Sequence, residues 1–133
     1  MSHVEAAVAA LNAHLSTLTI PREAFDVDDV PTTLPDAYVE VSVSRRLIDG
    51  SPRGDGSKTG TGWRLLTRAV ARSTGDGRRL HDLCAEALEF QTLTVDGHLT
   101  TPLEFETADP IEDDEGWFSG AWVWTYLLTD TTA

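Results

Sequence analysis

The order of apolar spacings predicts one small domain that mixes two helices with several β-strands, and three observations carry that expectation. Residues 4–18 and 80–91 each repeat apolar side chains at helical spacing, residues 37–44 alternate as a strand does, and Asp96-Gly97 stands between two apolar stretches as a two-residue hairpin turn would. A chain of 133 residues has room for one ordinary domain and can bury a core without help from a disulfide or a metal.

Ser2 and Glu5 have the form of a capping box, and Val4, Val8, Leu11, Leu15 and Leu18 follow on one stripe, so a first helix of about 15 residues is expected, ended by Pro21. Pro21, Pro31 and Pro35 among Asp26, Asp28 and Asp29 suit an extended acidic connection. Ala37, Val39, Val41 and Val43 then point one way and Tyr38, Glu40, Ser42 and Ser44 the other, which is a strand with one covered face. Residues 49–62 hold five glycines and Pro52 among small polar side chains, too little apolar surface to offset backbone entropy; a long mobile loop is expected.

Residues 63–72 fit two templates. Period two puts Arg64, Leu66, Arg68, Val70 and Arg72 on one face, whereas a helix groups Leu65, Leu66, Ala69 and Val70. Residues 73–76 offer caps for a second helix, whose Leu80, Leu83, Cys84, Ala87, Leu88 and Gln91 share a face. Arg78 and Arg79 fall in its first turn, against the helix dipole, a placement that suggests a partner. After the hairpin turn a returning strand over residues 99–106 is expected, with Pro102 marking an edge or a bulge. An acidic loop over 109–116 leads to a last strand over 117–128, with Trp122, Trp124 and Tyr126 on one face and Val123, Thr125 and Leu127 on the other; residues 129–133 are expected to fray.

The net charge of −12 disfavours a simple nucleic-acid-binding module, because phosphates repel that sign. The charge is also unevenly placed. Residues 1–44 carry one base, Arg22, and seven acids; residues 45–79 carry nine bases and three acids; residues 80–133 carry twelve acids and no base. Such a chain can attract copies of itself head to tail, or neutralise its two halves within one subunit. A lone cysteine and the absence of a basic-then-apolar start lead us to expect a soluble protein of a reducing cytoplasm, with no membrane span.

Candidate chemistry is sparse. The glycine stretch misses the phosphate-binding pattern G-x-x-x-x-G-K-[ST], since Ser57 precedes Lys58, and its Arg53-Gly54-Asp55 matches an integrin tripeptide at a level close to chance. His81 and Cys84 lie three apart, but Cys84 sits on the apolar stripe and His3, His14 and His98 are scattered without zinc spacing. The run Glu112, Asp113, Asp114, Glu115 lacks the alternation of a calcium loop. No nucleophile elbow or Ser/His/Asp set is recognisable, so no enzyme, cofactor or metal is expected. Three of the four tryptophans fall within residues 117–124, on a strand that needs cover on both faces, by helices on one side and by internal core or another subunit on the other.

Three stretches together resemble the tail terminator proteins of long-tailed, non-contractile bacteriophages, particularly those of actinobacteria. They are YVEVSVSRR with the glycine loop and GWRLLTRAVARS, the hairpin LTVDGHLTTPLEFE, and DPIEDDEGWFSGAWVWTY. The resemblance spans residues 35–127 and implies an α+β fold: two helices on one face of a mixed, largely antiparallel sheet of four to five strands, with a long glycine-rich loop between the first two strands and residues 63–72 as a strand. It further implies a homo-oligomer, a six-subunit ring that caps the tail tube protein, stops its polymerisation, and offers the surface that joins the head-tail connector protein, at the head-proximal end of the virion tail after assembly in the host cytoplasm. DNA passes through such a ring without specific binding. On that reading the charge split names the contacts. Arg45, Arg46, Arg53, Lys58, Arg64 and Arg68 would meet acids of a neighbouring subunit or the tube, with Asp109, Glu112, Asp113 and Asp114 on the opposing side. The alternatives are a head-completion ring on the portal side and, in a different class, a small-molecule binder or enzyme with the aromatic strand lining its pocket.

Overall fold

The computed structural model describes residues 1–47 and 61–132. In chain order the elements are α1 (His3–Leu15), β1 (Ala24–Asp26), a 3-10 turn (Val27–Asp29), β2 (Ala37–Leu47), β3 (Thr61–Ala71), α2 (Thr74–Leu88), β4 (Thr94–Val95), β5 (His98–Thr100), β6 (Glu104–Ala108), β7 (Glu112–Asp114) and β8 (Trp117–Thr132). The architecture is α+β, two helices and a mixed sheet, but the sheet has eight strands rather than four to five. Its order is β1-β2-β3-β8-β5-β4, with β6 and β7 also paired to β8; β1 runs parallel to β2 and every other pairing is antiparallel.

The extra strands have a simple origin in the length of β8. Sixteen residues span about 50 Å, enough for three short partners in tandem along one edge: β7 beside residues 117–119, β6 beside 122–125 and β5 beside 128–132. The single returning strand expected over 99–106 is cut in two at Pro102, which has no N–H to give a ladder. At that break Leu103 turns to other partners, donating to the Gln91 carbonyl at 2.8 Å and accepting from Phe90 N–H at 2.9 Å. The tail expected to fray is paired as far as Thr132, opposite His98. The acidic stretch 109–116 is not all loop, because Glu112–Asp114 forms a hairpin with β8 across Glu115 (φ 52°) and Gly116 (φ 85°). Likewise the acidic connection after α1 contains β1, too short to show any alternation.

The predicted capping box is present, with Glu5 N–H bonded to Ser2 Oγ at 3.2 Å and Ser2 N–H to Glu5 at 3.1 Å. α1 stops at Leu15, earlier than the stripe through Leu18 suggested, and Ser16 caps it. Ser73 caps α2 by accepting from Asp76 N–H, and α2 stops at Leu88, which leaves Gln91 outside it. Residues 63–72 resolve as strand: β3 is paired on both sides, to β2 and to β8.

Both helices pack on one face of the sheet. Ala6, Ala7, Leu11 and Leu15 of α1 and Leu80, Leu83, Cys84 and Leu88 of α2 meet Val39, Val41, Leu65, Ala69, Trp124 and Tyr126 in one core. Several polar groups in and beside that core are hydrogen-bonded. Trp124 Nε1–H donates to Thr67 Oγ1 at 3.3 Å, and the Tyr126 hydroxyl and His3 Nδ1 share a hydrogen bond of 2.6 Å while His3 lies on the Trp63 ring at 3.9 Å. Burial lowers the His3 pKa, which favours the neutral ring, and raises that of Tyr126. At the edge of the sheet, Asn12 closes off β1: its Nδ2 donates to the Ala24 carbonyl at 3.1 Å and its Oδ1 accepts from Ala24 N–H at 2.7 Å.

Candidate functional site: the outer face of the sheet

The second sheet face carries no helix. Tyr38, Val70, Ala121 and Val123 are buried there yet lie outside the core that the helices cover. Period two brings Arg64, Leu66, Arg68 and Val70 of β3 to this face, and register fixes their neighbours. Arg64 stands between Ser44 and Thr125, Leu66 between Ser42 and Val123, Arg68 between Glu40 and Ala121, and Val70 between Tyr38 and Ser119. Beyond β8 the same rows continue into acids, Glu104 opposite Thr125, Glu112 opposite Ser119 and Asp114 opposite Trp117. A column of bases and a column of acids therefore face outward side by side, two strand spacings or about 10 Å apart.

The bases reach toward the acids within the same subunit. Arg64 Nη2 lies 3.2 Å from Glu106 Oε1. Arg68 shares a cavity of about 300 Å³ with Asp109, Pro110, Glu112 and Ser119. Arg72, just past β3, lays its guanidinium over the Trp117 ring at 3.6 Å. Tyr38, buried on this face, meets the rings of Phe25 and Trp117 edge-on, each with centroids 6.2 Å away.

Of the ten residues singled out in the sequence, the described ones fall on different parts of the sheet. Arg45 has the parity of Val39 and Val41, opposite Trp63, so it projects on the helix side of the sheet, beyond the end of the core, and is exposed. Arg46 occupies β2 opposite Gly62. Arg53, Lys58 and nearly all of the expected glycine loop lie outside the described residues. Arg64 and Arg68 share the outer face with Glu112 and Asp114, and Asp109 lies between β6 and β7. Asp113 has a local task, its Oδ1 accepting from Gly116 N–H at 3.1 Å to hold the hairpin turn. Glu40, Glu104 and Glu106 are not among the ten, and pairing brings them beside the arginines.

One polar group within the helix layer, weighed in the sequence only as a metal ligand, is buried. His81 of α2 is 2% exposed, stacks on Trp122 with centroids 4.7 Å apart and planes 7° from parallel, and has no hydrogen-bond partner for either ring nitrogen among the described residues. Burial lowers its pKa to about 4 against a weaker opposing pull from Asp82, so the ring is neutral at pH 7. Cys84, one turn on, is fully buried and its thiol is pushed up to about 12 by desolvation, far from a metal-binding thiolate. No cluster of three His, Cys, Asp or Glu side chains among the described residues could hold a metal, and no helix among them is long and apolar enough to cross a membrane.

No protein-family model and no curated protein sequence matches the chain. Among solved structures it is similar to a chain of a particle described as "Virion of native gene transfer agent (GTA) particle", with a TM-score of 0.68 and 16% identity over 96% of this chain and 94% of that one. A second solved chain is similar with a TM-score of 0.64 and 13% identity, over 97% of this chain and 94% of its own length. These likenesses show a shared fold across almost the entire domain.

Proposed function

We propose that this chain is a structural subunit of a phage-like particle, and within it the ring-forming terminator of a non-contractile tail. The supporting observation is the fold likeness, running nearly end to end, to a chain of a gene transfer agent particle, together with the resemblance of the three sequence stretches to tail terminators. On this reading the protein turns over no substrate and works as a fitted surface, at the head-proximal end of the tail. Six copies close a ring on the last ring of the tube, block further addition of the tube protein, and present the opposite side to the connector. On this reading Arg45, Arg46, Arg53, Lys58 and Arg68 contribute to the contact between copies, against Asp109, Glu112, Asp113 and Asp114 of a neighbour. Acids left facing the channel repel DNA phosphates and let the duplex slide.

The test is to incubate purified protein with polymerising tube subunits and measure tube lengths by electron microscopy. Short tubes capped at one end support termination; tubes that grow unchanged refute it, and attachment to portal rings instead would move the protein to the head side. The double variant Arg45→Glu, Arg46→Glu should keep its circular dichroism spectrum and lose ring formation in low salt. An unaltered oligomer distribution would remove those two bases from the contact.

A further inference from the structure

An exposed aromatic side chain and a cavity that fits it sit at opposite ends of α2. Phe90 follows the helix and is 70% exposed. Its backbone has φ 61°, a region that favours glycine, and two hydrogen bonds hold it there: its own N–H to the Leu103 carbonyl at 2.9 Å and the Gln91 N–H to the Leu88 carbonyl at 3.0 Å. A phenyl ring kept in such a conformation while standing in water does little for its own subunit's core. Glu86 and Glu89, both exposed, accompany it, and Glu86 is bonded to His14 Nε2 at 2.9 Å.

Near the other end of α2 lies a cavity of about 250 Å³ with an apolar wall of Leu18, Ile20, Leu80 and Leu83, and with Arg22 and Arg79 at its rim beside a single acid, Asp76. An apolar cavity of roughly 150 Å³ already accepts a benzene ring, so a phenyl group fits. Neither arginine makes an ion pair among the described residues. Arg22 is the one base outside the basic segment, and the fold brings it next to Arg79, which lies in the second turn of α2 rather than in the first turn expected from the sequence.

We infer that Phe90 of one copy inserts into the Leu18–Ile20–Leu80–Leu83 cavity of the next, with Glu89 meeting Arg22 and Arg79. The occupant cannot be the same chain's Phe90, because about 21 Å of rigid helix separates the two ends of α2. The contact is therefore heterologous, each copy offering a plug and a socket, and repetition gives a closed ring or an open helix according to the rotation per step. The closure into a ring rests on the function proposed above; the plug and socket stand on size, charge and the backbone at Phe90.

The experiment is sedimentation velocity of the full chain over a concentration series, with Phe90→Gly, Arg79→Glu, Glu89→Arg and the Arg79→Glu, Glu89→Arg pair. Phe90→Gly suits the local backbone, so it should keep or raise the melting temperature while weakening self-association at least tenfold. Each single charge reversal should weaken association and the pair should regain most of it. Association of Phe90→Gly equal to the wild type overturns the inference, as does a wild type that stays monomeric up to its solubility limit. The tube-capping assay separates the two claims. Normal capping by Phe90→Gly with unweakened assembly removes the plug and leaves the terminator reading, whereas Phe90-dependent association without any effect on tubes does the reverse.

Discussion

Replacing Asn12 with alanine should destabilise the fold far more than an ordinary helix substitution. The Asn12 amide makes both outward hydrogen bonds of Ala24, at 2.7 and 3.1 Å, on a residue that is 2% exposed. Removing it leaves a buried N–H and a buried carbonyl unmet, each costing about 1–3 kcal/mol, while alanine returns roughly 0.6 kcal/mol of helix propensity. Allowing for water reaching the edge, the net loss is about 2–4 kcal/mol, or about 8–15 °C in melting temperature for a domain of this size. Asn12→Asp separates the two bonds, because a carboxylate accepts from Ala24 N–H but faces the carbonyl oxygen with no proton to offer; about 1–3 kcal/mol should be lost. Urea unfolding followed by circular dichroism measures both. If both variants unfold within about 0.5 kcal/mol of the wild type, β1 is held by its pairing with β2 alone and the amide is incidental.

Other consequences can be checked on the same material. A neutral, buried His81 with a pKa near 4 contributes stability that is complete above pH 6.5, where the unfolded ring is also neutral, and declines as the pH falls toward 4, since the unfolded chain then takes up a proton that the native state refuses. About 1–2 kcal/mol should disappear between pH 7.5 and 5, and His81→Phe should flatten that part of the pH profile; equal slopes for the two proteins would refute it. Gly120→Ala places a methyl group 3.2 Å from the Asp109 carbonyl oxygen and 3.3 Å from Ile111 Cα, both backbone, so a loss of about 1–3 kcal/mol is expected, and an unchanged melting curve would mean that the β6–β7 connection gives way freely. Glu106→Gln should cost at most about 1 kcal/mol, as an exposed ion pair does, and a larger loss would point to a desolvated network around Arg64.

The helices and long strands were legible because their signals are local. Ser2 and Glu5 lie within one turn, Val39 and Val41 alternate over enough residues to set a period, and Asp96-Gly97 has the residue types that its angles of 50° and 83° favour. Glu115-Gly116 makes a turn of nearly the same angles, but a glutamate at φ 52° gives no advance notice, and β7 was hidden with it. β1 and β4 are too short for any period to appear. Periodicity alone leaves residues 63–72 between helix and strand, and only the family resemblance makes them a strand, because what settles them is pairing with β2 and β8, residues far away in the chain. The charge split was readable as a count, but its arrangement was not. That Arg45 projects opposite to Arg64 follows from register, and the burial of His81 follows from Trp122, forty-one positions further on. The joining of Arg22 to Arg79 depends likewise on how the segment after α1 crosses the start of α2.

The role of β8 as a shared spine sets a timetable for maturation. β3, β5, β6 and β7 all precede it in the chain and all borrow their hydrogen bonds from it. During synthesis the ribosome therefore releases a polypeptide whose helices and β2–β3 ribbon exist before their common partner does, with the inner flank of β3 open to passing strands. Native structure then waits on β8, and anything that delays residues 117–132 prolongs the interval in which the nascent protein is prone to stick to its copies in the wrong way.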